Sequence, residues 1–243
     1  MNRLKIFAAM IMVALLAFSC GQSGSKQKES ENAENWIILF DGTSTDEWRS
    51  YNKETFPESG WSVVDGALMV QGSGRGEAGG GGDIITKRKF RNFELSLEWK
   101  TSEGGNSGIF YLAQEIPGEP IWKSSPEMQI LDNERHPDAK LGKDGNRQAG
   151  SLYDLIPAVP QNAKPAGEWN HAKITVYKGT VIHWQNGENV LEYHLWTDEW
   201  KNMVLESKFK DYDWFLNTAE EGHIGLQDHG DDIWFRNVKI KEL

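Results

Sequence analysis

Between Phe93 and Lys100 the chain alternates strictly, with Phe93, Leu95, Leu97 and Trp99 interleaved with Glu94, Ser96, Glu98 and Lys100. A period of two belongs to a strand with one buried and one wet face. It excludes an amphipathic helix, whose apolar residues recur every three or four positions. Comparable strand signals recur along the chain. Further strands are predicted over 108–112, 127–131, 171–177, 181–185, 189–193, 222–226 and 233–240. Two short apolar runs within 61–70 flank Asp65-Gly66, and Asn186-Gly187 separates another pair. Such dipeptides supply the positive φ angles of a tight hairpin. One short helix is predicted over 197–208. Many strands, long connections and little helix point to an all-β chain, an antiparallel two-sheet sandwich of jelly-roll type.

The N-terminal segment reads differently. Arg3 and Lys5 precede the apolar run 6–18, which closes on Ser19-Cys20-Gly21. That is the layout of a bacterial secretion signal of the lipoprotein type, with cleavage before Cys20 and lipid attached to its sulfur. The run is too short to span a bilayer as an ordinary helix. Residues 20–35 are polar and low in complexity, so they read as a tether that buries too little apolar surface to order itself. Residues 36–243 then form a single domain. The expected location is the bacterial cell envelope, lipid-anchored on the periplasmic or outer-membrane surface rather than spanning it. Cys20 is the sole cysteine. The domain therefore relies on its core rather than on an internal disulfide. The net charge is -10, and no basic cluster is present to displace counterions from phosphate, which excludes nucleic acid as a partner class.

Eleven tryptophans bring carbohydrate into view, because an indole face packs on the C–H face of a sugar while its N–H finds an acceptor. Trp99 and Trp184 fall in strand patterns and read as core. Trp48, Trp122, Trp196, Trp200 and Trp214 fall in loop-like contexts and are the candidate sugar contacts.

Several polar stretches are candidates for chemistry. The segment 225–238 holds Gln227, Asp228, His229 and Arg236 around Gly230, and a turn there would display Gln227, His229 and Arg236 together at a sheet rim. An imidazole suits proton transfer near neutral pH, although a wet turn accounts for the same composition. Asn106-Ser107-Gly108 places an amide and a hydroxyl at the start of a strand. In Glu127-Met-Gln129, alternation sends Glu127 and Gln129 to one face, which is either a binding groove or a solvated stripe. Tyr153 adds a phenol and Asn170 an amide. The glycine-rich run 72–82 lacks a following Lys-Ser/Thr and a helix, so it reads as a mobile loop bordering a site rather than a phosphate cradle. Asp132, His136 and Asp138 lie close in sequence, but on a Pro-containing loop whose polarity solvation explains. No organic cofactor motif is evident, and the sequence assigns neither a metal nor an oligomeric state.

Taken together, Leu39-Phe-Asp-Gly42 with Trp48, Asn106-Ser-Gly108, Glu127-Met-Gln129, Tyr153, Gly167-Glu-Trp-Asn170, Gly225-Leu-Gln-Asp-His-Gly230 and Phe235-Arg-Asn-Val-Lys-Ile240 resemble the 3-keto-disaccharide hydrolase domain family. The resemblance runs in order from Trp36 to Leu243. It implies a concanavalin A-like jelly roll and a role in carbohydrate breakdown. A C3 ketone acidifies the C2 hydrogen, so the C1 glycosidic bond breaks by elimination followed by addition of water. That chemistry needs a base, an acid and donors toward an enolate oxygen. The resemblance implies Glu127 and His229 as acid and base in either order. Asn106, Ser107, Gln129, Tyr153, Asn170, Gln227, Asp228 and Arg236 become candidates for holding the sugar or the oxyanion. Arg236 has a structural alternative, pairing with Asp228 or Asp231.

Two other readings stand beside this one. A conventional retaining glycosidase of laminarinase type needs a second glutamate two turns of alternation along the strand, where this chain offers Leu131-Asp132. A membrane-anchored carbohydrate-binding module would need the tryptophans and amides but no titrating pair.

Overall fold

The computed structural model describes residues 35–74 and 80–243. The expected secretion signal, Cys20 and nearly all of the expected tether lie outside them.

Among the described residues, thirteen strands form two antiparallel sheets. They are β1 (Ile37–Phe40), β2 (Trp48–Ser50), β3 (Trp61–Val64), β4 (Ala67–Val70), β5 (Ile84–Thr86), β6 (Phe93–Thr101) and β7 (Asn106–Ala113). There follow β8 (Glu127–Leu131), β9 (Asn170–Tyr177), β10 (Thr180–Gln185), β11 (Glu188–His194), β12 (His223–Leu226) and β13 (Ile233–Glu242). The larger sheet runs β11-β10-β9-β6-β13-β4-β3, with β1 also paired to β13. The smaller runs β2-β5-β12-β7-β8. This is the expected all-β sandwich, and its strand centres fall where alternation predicts them. The strands that periodicity does not announce are β1, β2 and β5, whose three or four residues are too few to show a period.

The core explains the alternation. Phe93, Leu95, Leu97 and Trp99 are all buried in one cluster with Ile109, Tyr111, Met128 and Ile130 of the smaller sheet. Each such side chain removed from water contributes roughly 1.5–3 kcal/mol. Hairpins follow the turn chemistry. Asp65 and Gly66 take φ of 50° and 73°, and Asn186 and Gly187 take 51° and 88°. Lys178 and Gly179 make a similar turn at 49° and 87°.

The expected helix is α1 (Asp198–Leu205), opened by Thr197, whose hydroxyl accepts from Trp200 N at 3.1 Å. A second single turn, α2 (Asp213–Leu216), follows it. Trp200 is not a sugar contact. It is buried between Tyr193 and Phe215, stacked at 5.5 and 5.7 Å. Trp48 is likewise core, its indole donating to Leu39 O at 2.7 Å. Trp184 departs from the core reading in the other direction, since it is only partly buried and lies under the Lys173 ammonium.

The segment after β12 is not a hairpin. The chain leaves β12 in the smaller sheet, turns at Gly230 with φ of 91°, and enters β13 in the larger one. Residues before and after Gly230 therefore belong to different sheets, which separates His229 from Arg236.

Candidate active site

The smaller sheet builds the site. Residue pairs Gly108↔Gln129 and Phe110↔Glu127 join β7 to β8, and Gly225↔Phe110 joins β12 to β7. Period two then puts Asn106, Gly108, Glu127, Gln129 and Gly225 on the face turned away from Met128 and Ile130. Gln227 N donates to Gly108 O at 3.0 Å, which continues the same face toward His229. The glycine in β7 makes room for the carboxylate. A Cβ on Gly108 would stand 2.0 Å from Glu127 Oε1.

On this face lies a pocket of about 300 Å³. Asn106, Glu127, Gln129, Gln227 and His229 form its polar side, joined by Tyr153. Trp122, Phe209, Tyr212 and Lys208 complete the lining. Asn106, Glu127, Gln129 and Gln227 are buried, so their polar atoms are held by neighbours and aimed rather than solvated. The Asn106 carboxamide lies 3.4 Å from His229 Nε2. With its amide nitrogen toward Glu127, Gln129 reaches Glu127 Oε1 at 3.1 Å and Ser107 O at 3.1 Å, an orientation assigned from the hydrogen-bond pattern. Gln227 Oε1 is buried with no protein partner among the described residues. A buried acceptor of that kind is available to a donor from water or a bound molecule.

Tyr153 is fixed from behind. Its hydroxyl donates to Asp138 Oδ2 at 2.9 Å, and Arg147 Nη1 donates to Asp138 Oδ1 at 2.7 Å. Arg147 also bonds Asp154. Burial and the Asp138 charge push the Tyr153 phenol well above its usual range, so it stays protonated at neutral pH. His136 stands beside His229, the two rings edge to face at 6.4 Å. Its Nδ1 accepts from Asp138 N at 3.1 Å, and burial lowers its affinity for a proton.

Other sequence candidates lie outside the pocket. Ser107 is buried in the direction of the core, its hydroxyl donating to Gln227 O at 2.8 Å. Asn170 accepts from Lys164 N at 2.7 Å and from Asn186 Nδ2 at 2.8 Å, tying loops of the larger sheet. Arg236 sits on that sheet as well. It pairs with Glu98 at 2.7 and 2.5 Å and stacks over Trp169 at 4.0 Å, so its partner is neither Asp228 nor Asp231. Trp196 and Trp214 are exposed away from the pocket lining, which leaves Trp122 as the loop tryptophan within it.

Asp228 supports the site from one layer below. Its Oδ2 accepts from Gly81 N and Gly82 N at 2.8 and 2.9 Å, and its Oδ1 from Gly230 N at 3.1 Å. The described ends of the glycine-rich run are thus bound to the segment carrying His229, while 75–79 lie outside the described residues. Asp132 accepts from Gly104 N at 2.8 Å and from Glu134 N at 3.1 Å. Asp132 and Asp138 therefore have structural partners, and solvation alone does not explain them.

Sequence reasoning missed Lys208, Phe209 and Tyr212. They follow α1 in a segment with no strand period, and Lys208-Phe209 carries no motif that separates a pocket wall from a surface turn.

The fold and the pocket together define a jelly-roll protein with a polar cleft walled by aromatic side chains. Its relatives make it a hydrolase of glycosides. The chain belongs to the 3-keto-alpha-glucoside-1,2-lyase-like domain family, whose sequence profile matches residues 35–241. It is 57% identical over 232 residues to a 3-keto-disaccharide hydrolase of Bacteroides thetaiotaomicron, covering 87% of this chain and 80% of the relative. A crystal structure of a candidate glycosyl hydrolase from Parabacteroides distasonis is 29% identical, with a TM-score of 0.76 over 88% of this chain and 97% of that one. A Bacillus subtilis protein with a galectin-like fold, 12% identical at a TM-score of 0.54 over 86% and 97% of the two chains, shares the fold alone.

Proposed function

We propose that the enzyme cleaves the glycosidic bond of 3-keto-disaccharides or related 3-keto-glycosides by elimination followed by hydration. The observation that carries this reading is that Glu127 and His229, from separate segments, line one pocket together with Asn106 and Gln129. A C3 ketone makes the C2 hydrogen acidic. Glu127 and His229 share the two proton transfers, one removing that hydrogen and the other protonating the departing C1 oxygen. Water then adds to the unsaturated ketone. Gln227 Oε1 and Asn106 bond ring hydroxyls, and the protonated Tyr153 offers its oxygen and ring edge to the sugar. Trp122 and Tyr212, edge to face at 5.3 Å, form an aromatic wall for the apolar face of the sugar or its aglycone.

A conventional retaining mechanism has less support. It needs two carboxylates about 5–5.5 Å apart. Glu127 is the one carboxylate in the pocket lining among the described residues, and Asp132 is bound to backbone N–H groups elsewhere.

The test is to incubate the enzyme with paired 3-keto and unoxidised glycosides and follow aglycone release. Cleavage of the keto member alone is expected. Equal cleavage of both overturns the keto-dependent route, and binding without turnover of either favours the carbohydrate-binding module. We further propose that the chain acts at the bacterial cell envelope, held there by lipid on Cys20. Cys20→Ser should then move the protein from the membrane to the soluble fraction.

A further inference from the structure

An enolate formed at C3 carries negative charge that neutral amides stabilise only in part. Arg236, the cation that the motif reading offers for that charge, is committed to Glu98 on the other sheet. Among the described residues lining the pocket, Lys208 is the one lysine or arginine. Its ammonium lies 4.1 Å above the Tyr153 ring and 5.1 Å from the Phe209 ring. Cation–π contact of this kind fixes the head of a flexible side chain without consuming its N–H donors. Tyr153 is itself held by Asp138, so the ammonium rests on an anchored platform. Glu127, Asp138 and Asp154 all act on Lys208 electrostatically. Burial lowers the affinity of Lys208 for its proton, with Arg147 adding to that effect and the charges of Asp154, Glu127 and Asp138 opposing it.

We propose that Lys208 is a catalytic residue whose ammonium polarises the C3 carbonyl and stabilises the enolate oxygen during removal of the C2 proton. The proposal rests on the keto-dependent reading above. No proton leaves Lys208 in this step. The C2–H bond breaks toward the base, its electron pair moves into the C2–C3 bond, and the carbonyl π pair moves to the oxygen facing the ammonium. The segment 206–212 thereby supplies both the charge and, through Phe209 and Tyr212, part of the apolar wall that strengthens its action by excluding water.

The test uses Lys208→Met and Lys208→Arg in the full chain, with 4-nitrophenyl and methyl 3-keto-glucosides as probes. Aglycone release and exchange of the C2 hydrogen in deuterium oxide are followed together. Lys208→Met should lose about 10²- to 10³-fold in kcat on both probes, the range for removing one oxyanion donor. C2 exchange should fall in parallel, and Lys208→Arg should restore most of it. A Lys208→Met enzyme within threefold of wild type overturns the role, as does a loss confined to KM. A loss confined to the methyl glucoside would place Lys208 at the leaving group and also overturns it. Trapping of a covalent adduct by borohydride would replace the electrostatic role with an iminium. If wild type cleaves unoxidised glycosides equally well, the keto-dependent reading itself falls, and the Lys208 role with it. Circular dichroism and thermal melting confirm that each variant is folded.

Discussion

Gly108 and Glu127 occupy the same volume by turns: the space where a Cβ on Gly108 would stand holds Glu127 Oε1, with 2.0 Å between the two positions. Gly108 is not in a left-handed conformation, so its role is to leave space rather than to allow an unusual backbone. Glu127 is buried and Gln129 is within 3.1 Å of it. The carboxylate therefore cannot move aside without disturbing the neighbouring amide.

Gly108→Ala should consequently displace Glu127 and lower kcat by about 10²-fold, the cost typical of a misplacement near 1 Å. The fold should survive, because the added methyl points into the pocket and not into the inter-sheet core. Steady-state kinetics with a 3-keto-glycoside and a thermal melt check both parts. Unchanged kcat in a folded variant would mean that Glu127 has no positional role in the reaction.

His183 gives the fold a pH dependence of known sign. It is fully buried, its Nδ1 donating to Gly150 O at 3.0 Å and its Nε2, in the neutral ring, accepting from Tyr111 Oη at 2.8 Å. Burial lowers its pKa from 6.5 to about 4. The unfolded chain thus binds a proton between pH 6.5 and 4 that the folded chain refuses. Stability contributed by the neutral imidazole is complete above pH 6.5 and is lost as pH falls toward 4, by about 3 kcal/mol at most. Urea unfolding at pH 7, 5.5 and 4.5 should show this slope, and His183→Gln should be less stable at pH 7 but flatter. An identical slope in the variant would assign the pH dependence to other groups.

Arg236 should behave as a structural residue. Its guanidinium bonds Glu98 and covers Trp169, and Asn237 donates to the same carboxylate at 2.9 Å where the pairing of β13 with β6 slips. Arg236→Met should leave kcat and KM within about twofold while lowering Tm by a few degrees, since a partly exposed ion pair contributes little more than 1 kcal/mol. A large fall in kcat without a change in Tm would return Arg236 to the site.

The same residue shows what a sequence can and cannot reveal. Alternation over 93–100 and the Asp-Gly and Asn-Gly turns made the sandwich legible, because period and turn chemistry are local. The polar face of Glu127 and Gln129 was legible for the same reason. Whether that face was a groove or a solvated stripe depended on what packs across it, and the answer comes from Trp122 just upstream together with Phe209 and Tyr212, far away in sequence. Arg236 was misplaced because the segment around Gly230 has the composition of a hairpin while the chain there changes sheets. Trp48 and Trp200 were misplaced because a loop-like neighbourhood does not reveal that an indole turns inward. Lys208 lay outside every motif, and only tertiary packing over Tyr153 brings it to the pocket.

Asp83, bonded to the segment that carries His229, is a further pH-sensitive group. Asp228 N donates to Asp83 Oδ1 at 2.9 Å, while the Asp228 carboxylate is occupied by Gly81, Gly82 and Gly230 N–H groups. Burial, with a further push from the Asp228 charge, raises the Asp83 pKa from 3.8 to about 7. The folded chain therefore holds a proton that the unfolded chain has released. The associated stability is complete below pH 3.8 and declines as pH rises toward 7, the reverse of the His183 effect. Asp83→Asn keeps the acceptor oxygen toward Asp228 N and removes the charge. Its urea midpoint should match wild type near pH 4 and exceed it at pH 8.5, where the half-buried wild-type carboxylate must ionise beside Asp228. A displacement of equal size at both pH values would show that the substitution acts through packing and not through charge.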